Sequence, residues 1–112
     1  QGCTGVTNTG LHILARGLRL LEKLKTLSLD FLGCEHISDA GVEALADCVP
    51  SSLQDLRFHF DACPQIGPKS ANQLAARLPP GLSSIHISFL GTRVNRVFKS
   101  KGELLGYTRA KR

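Results

Sequence analysis

The chain repeats itself. Leu24-x-x-Leu27-x-Leu29-x-Phe31-x-x-Cys34-x-x-Ile37 returns as Leu53-x-x-Leu56-x-Phe58-x-Phe60-x-x-Cys63-x-x-Ile66, and a third copy opens as Leu82-x-x-Ile85-x-Ile87-x-Phe89-x-x-Thr92. Leu24 to Leu53 and Leu53 to Leu82 are both steps of 29 residues. A fixed period of that size marks units that cannot bury an apolar face alone and must stack on one another.

Within each copy the apolar residues first alternate, as in Leu27, Leu29 and Phe31, and then recur at helical spacing, as in Val42, Leu45 and Ala46. Each unit is therefore expected to be a short strand followed by a helix, with the strands in a parallel sheet. Ser38 and Asp39 stand where a side-chain oxygen can accept from the first-turn N–H groups of the helix that follows, and Pro50 stops that helix. In the next unit Pro68 fits the first helical turn and Pro79-Pro80-Gly81 ends it.

These expectations divide the chain at 1–23 (a partial repeat), 24–52, 53–81, 82–92 (a second partial repeat) and a basic segment, 93–112. Cys3-x-x-Val6-x-x-x-Gly10-x-x-x-Leu14-Ala15 matches the helical half of the next copy without a strand before it. With Gln at position 1 and no Met, the chain reads as a piece of a longer protein or an incomplete gene model. After Thr92 the expected Ile and Gly positions hold Asn95 and Lys99, so the third copy breaks off.

The run from Leu24 to Pro50, L-x-x-L-x-L-x-F-x-x-C-x-x-I-S-D-A-G-V-x-A-L-A-x-x-x-P, resembles leucine-rich repeats of the ribonuclease-inhibitor-like and cysteine-containing kinds, which occur in F-box substrate receptors and in many protist repeat proteins. The resemblance spans roughly residues 3–92. It implies an α/β solenoid with the sheet on a concave face and helices on the convex face, and a protein-binding module whose contacts lie on the sheet. An F-box-like adaptor role in ubiquitin transfer rests on analogy alone, since the chain carries no F-box segment.

The 42% hydrophobic fraction suits a folded chain, and no apolar run is long enough to span a bilayer. Cys3, Cys34 and Cys63 share one repeat position, the pattern of a small buried column rather than a disulfide framework or a C-x-x-C zinc site. Reduced thiols point to a reducing compartment, cytoplasmic or nuclear. The net charge of +5 is unevenly placed. Residues 1–92 hold seven Lys or Arg against eight Asp or Glu, whereas 93–112 holds Arg93, Arg96, Lys99, Lys101, Arg109, Lys111 and Arg112 against Glu103. Gly102 and Gly106 interrupt any helix there, so this segment is expected to be a solvated, poorly ordered tail. It is the one part of the chain suited to electrostatic attachment to nucleic acid or an anionic membrane.

In each strand the residues between the inward Leu, Ile and Phe point outward: Thr26, Ser28 and Asp30, then Asp55, Arg57 and His59, then Ser84, His86 and Ser88. Ser28, Asp30, Asp55, Arg57, His59, His86 and Ser88 are the expected partner-binding residues, with Arg57 as anchor. In-register strands would also place Asp30, His59 and Ser88 in one row, the order of an acid, a base and a nucleophile. No glycine-rich elbow or oxyanion hole accompanies them, so a non-catalytic reading is preferred. No phosphate-cradling motif, metal, cofactor or small-molecule substrate is expected. Phe31, Phe60 and Phe89 share the parity of the inward residues and are expected in the core rather than on a nucleic-acid stacking platform.

Overall fold

The computed structural model describes residues 6–110. Its order is α1 (Asn8–Leu18), β1 (Thr26–Asp30), α2 (Asp39–Asp47), β2 (Asp55–His59), α3 (Pro68–Arg77), β3 (Ser84–Ser88), β4 (Val97–Phe98) and α4 (Lys101–Ala110). The four strands form one open sheet in chain order. β1, β2 and β3 run parallel, pairing Leu27 with Leu56 and Leu56 with Ile85, so each residue lies beside its equivalent one period away. A one-residue slip would turn every inward apolar side chain to solvent, which is why the hydrophobic pattern fixes this register. The helices pack side by side in the same order, α1 on α2, α2 on α3 and α3 on α4.

One core fills the space between helices and sheet. Leu53, Leu56, Phe58, Ile66, Leu74 and Ile87 are all buried in it. Burial of such side chains contributes about 1.5–3 kcal/mol each. Phe31, Phe60 and Phe89 stack along the units with centroids 5.6 and 5.5 Å apart. The column runs on through Phe98, 6.1 Å from Phe89, to Tyr107, 5.3 Å beyond that. Among the described residues β1 pairs with β2 alone, and its Leu27 and Leu29 remain half-buried where their equivalents in β2 and β3 are buried.

Just past each parallel strand the backbone enters the left-handed region at the same repeat position: Gly33 (φ 69°), Ala62 (φ 61°) and Gly91 (φ 79°). The turn lets Cys34, Cys63 and Thr92 swing inward, where all are buried. The Cys63 thiol donates to the Phe31 carbonyl of the preceding unit, Sγ to O 3.0 Å. Cys3 lies outside the described residues.

Two expectations are corrected. Ser38 sits at the N-cap of α2 but makes no side-chain cap bond. Its oxygen accepts instead from Asn8 Nδ2 (2.9 Å), and Asp39 Oδ1 reaches the next unit to accept from the Gly67 N–H (3.0 Å) and the Ser70 hydroxyl (2.5 Å). The polar groups at the helix start tie units together rather than closing their own helix.

The segment 93–112, expected as a poorly ordered tail, forms β4 and α4 through residue 110. Asn95 takes a left-handed turn (φ 51°) that reverses the chain, and β4 pairs antiparallel with β3, Ile87 opposite Phe98. α4 forms despite Gly102 and Gly106 because it buries Leu104, Tyr107 and Thr108. Its first turn is closed by Ser100 Oγ, which accepts from the Glu103 N–H (3.1 Å), while Glu103 Oε1 accepts from the Lys99 N–H (2.7 Å). Tertiary burial here outweighs the low helix propensity of glycine.

Candidate interaction surface

The alternation of inward and outward residues places three polar rows across the parallel sheet: Thr26, Asp55 and Ser84, then Ser28, Arg57 and His86, then Asp30, His59 and Ser88. Ser28, Arg57 and Asp30 are exposed, and Asp55, His59 and His86 are half-buried. Ser88 departs from the sequence expectation, since it is only 3% exposed. β4 runs alongside it with Val97 directly opposite, so the return of the chain covers a position that an open strand would leave to solvent.

Arg57 stands in the middle row with its side chain 58% exposed, and its Nε lies 3.7 Å from Asp55 Oδ2. A pair this long and this wet contributes about 0–1 kcal/mol. The second Asp55 oxygen, Oδ1, is shielded and takes no hydrogen bond. The His59 and His86 rings lie against each other, centroids 5.3 Å apart and tilted by 37°. Together Arg57, His59 and His86 make a patch of planar cationic or polar groups at the centre of the sheet face.

Asp30, His59 and Ser88 do occupy one row. They are not joined as a relay: Asp30 Oδ1 accepts from the Leu32 N–H at 3.0 Å, and the His59 ring lies against His86. Among the described residues no three His, Cys, Asp or Glu side chains cluster as metal ligands would. No helix among them is long and apolar enough to cross a membrane.

The described basic residues of the C-terminal segment lie on its folded surface. The Arg93 guanidinium packs against Gly67, and Arg96 lies over the Tyr107 ring, 5.4 Å from its centroid. Lys99 and Arg109 are exposed and Lys101 is half-buried, whereas Lys111 and Arg112 lie outside the described residues. Sequence reading missed Phe98, Leu104 and Tyr107 as core residues. The Ser100-x-x-Glu103 pattern before Leu104-Leu105 was the available signal.

No protein-family model and no curated protein matches the chain. Among solved structures, a chain from the crystal structure of the Rad7 and Elc1 complex in yeast is similar at 27% identity and a TM-score of 0.40, over 76% of this chain and 23% of that one. The chain therefore spans about 23% of the length of that neighbour.

Proposed function

We propose that the chain is a segment of a leucine-rich-repeat solenoid that acts as a non-catalytic protein-interaction module, binding a partner protein through the outward face of the parallel sheet. Supporting the solenoid reading are the parallel register, which advances by one sequence period per strand, and the side-by-side helices. The observation that carries the binding reading is Arg57, exposed at the centre of the sheet face beside the paired His59 and His86 rings. Arg is enriched among residues that dominate binding energy because its planar fork pairs with carboxylates and stacks on rings.

The test is affinity capture from a lysate across a salt series with three forms of the chain. One is unaltered, one carries Arg57→Ala, His59→Ala and His86→Ala, and one carries Gln at Arg93, Arg96, Lys99, Lys101 and Arg109. A discrete partner that survives moderate salt and the Gln substitutions, but is lost with the three Ala substitutions, is the expected result. Capture lost with the Gln form and with salt, yet indifferent to the sheet-face substitutions, would overturn the reading.

A further inference from the structure

The polar face of the sheet brings two imidazoles together where protons would crowd positive charge. His59 and His86 stand on adjacent parallel strands and meet on the diagonal, since His86 is the register partner of Arg57 and His59 that of Ser88. Their half-buried rings close this diagonal, with centroids 5.3 Å apart and planes tilted by 37°. Such a contact suits two neutral rings, or a neutral ring against a protonated one. Protons on both would hold two like charges against each other.

Cations stand on both sides of the pair. Arg57 precedes His59 on the same face of β2 and lies beside His86. Lys99 directly follows Phe98, and the antiparallel step from Ser88 opposite Val97 to Ile87 opposite Phe98, continued by one residue, carries it towards His86. The nearby acids are engaged elsewhere or set apart. On β1, Asp30 lies beside His59, but its Oδ1 accepts from the Leu32 N–H. On β2, Asp55 lies 3.7 Å from Arg57, and Asp61 stands past the strand end with its Oδ1 shielded and without a hydrogen bond. At the start of α4, Glu103 Oε1 accepts from the Lys99 N–H. The other outward residues beside the rings, Ser28, Ser84, Ser88 and Val97, carry no charge. Among the described residues no carboxylate lies within ion-pair distance of either ring.

We propose that the His59–His86 pair is a proton-operated switch in the sheet face: the rings stay in contact while at least one is neutral and part once both are charged. Imidazole is the side chain that takes up its proton between about pH 8 and pH 5, so acidification over that range adds charge beside Arg57 and opens the contact at the centre of the face. Like charges repel most strongly where water is partly excluded, and both rings are half-buried. The ring movement needs no partner. Its effect on binding rests on the sheet-face reading of function.

The test is nuclear magnetic resonance of the full chain with isotope-labelled histidine, stepped from about pH 8 to about pH 5. Ring nitrogen shifts report which imidazoles are protonated, and cross-peaks between the His59 and His86 ring protons report the contact. The cross-peaks are expected at the alkaline end and lost at the acid end once both rings are charged, while the amide signals of Leu56, Phe58 and Ile87 stay folded. In His86→Gln the His59 side chain should keep one rotamer throughout, because the second charge is gone. A parent that unfolds on acidification while the His59→Gln, His86→Gln double variant stays folded would carry the same conclusion. The proposal fails if the cross-peaks are absent at the alkaline end, if they survive with both rings charged, or if either ring is still neutral at the acid end. It fails equally if the His59 ring of His86→Gln moves as the parent's does, or if parent and double variant unfold together. Rings that part on a face that captures no partner would sink the binding reading alone. Capture lost with the sheet-face Ala substitutions, beside a ring contact that ignores pH, would sink the switch alone.

Discussion

Replacing Gly91 by Ala should destabilise the fold by about 1–3 kcal/mol, whereas the reverse change at the equivalent position, Ala62→Gly, should not destabilise it. Gly91 has φ +79°, where an L side chain is strained by about 1–2 kcal/mol. Its added methyl would also lie 3.2 Å from the backbone N and Cα of Ala62, atoms that move only if the neighbouring turn moves. Against these costs stands about 0.4–1 kcal/mol from a less flexible unfolded chain. At Ala62, φ is 61°, so the strain is already present and glycine relieves it. The same unfolded-chain entropy then opposes the gain, and the net change falls at about 0 to 1 kcal/mol in favour of folding. Urea unfolding followed by far-ultraviolet circular dichroism resolves the difference. With a slope of about 1–3 kcal/mol per molar for a small domain, the Gly91→Ala midpoint should fall by roughly 1 M and the Ala62→Gly midpoint should hold or rise. A Gly91→Ala midpoint equal to the parent's would refute the argument, as would a loss of more than about 1 kcal/mol in Ala62→Gly.

Two further substitutions probe the links between units. Asp39→Ala removes the acceptor of the Ser70 hydroxyl, which is fully buried, and of the Gly67 N–H, and should cost about 2–4 kcal/mol in the same assay, while Asp39→Asn keeps the acceptor and should cost less than half as much. Phe98→Ala empties the position between Phe89 and Tyr107 and should cost about 3–5 kcal/mol; a cost under about 1 kcal/mol would mean that β4 is not part of the cooperative core.

The parts of this fold legible in the sequence are those that repeat. Leu27, Leu56 and Ile85 announce the parallel register because one period carries each onto the next. The polar face followed from parity alone, which is why Arg57 and His59 were placed while their contacts were not. Parity carries no information about rotamers, so the stacking of His59 on His86 and the turn of Asp30 back to Leu32 were invisible to it. Where the period ends, that information ends as well. Composition makes 93–112 a basic segment interrupted by glycines, and it carries no sign that Phe98 and Tyr107 extend the aromatic column, or that Leu104 joins the core, from outside the repeat. The burial of Ser88 was lost for the same reason, since it depends on a strand that the repeat does not encode.

The ends of the sheet differ in a way that hydrogen exchange can read strand by strand. The Asp55 N–H donates to the Lys25 carbonyl (3.0 Å) and the Phe31 N–H to the His59 carbonyl (2.7 Å), which sets the phase of the ladder between β1 and β2. In that phase the amides of Leu27, Leu29 and Phe31 face β2, and those of Ser28 and Asp30 face the edge that no described strand covers. Their equivalents Arg57 and His59 donate back to β1, and His86 and Ser88 donate to β2, following the Ser84 N–H bond to the Gln54 carbonyl (3.1 Å). Six positions in three strands thus share one sequence pattern and differ only in whether a neighbour accepts. Ser28 and Asp30 should exchange at rates near those of an open chain, and Arg57, His59, His86 and Ser88 only through opening events. β3, held between β2 and β4 under the Phe89–Phe98 contact, should be the slowest. Slow exchange at Ser28 and Asp30 would show a further strand paired along β1, and equal protection across β1, β2 and β3 would mean that stability is not graded along the stack. The gradient follows from nearest-neighbour stacking, in which a unit with one neighbour opens before a unit with two.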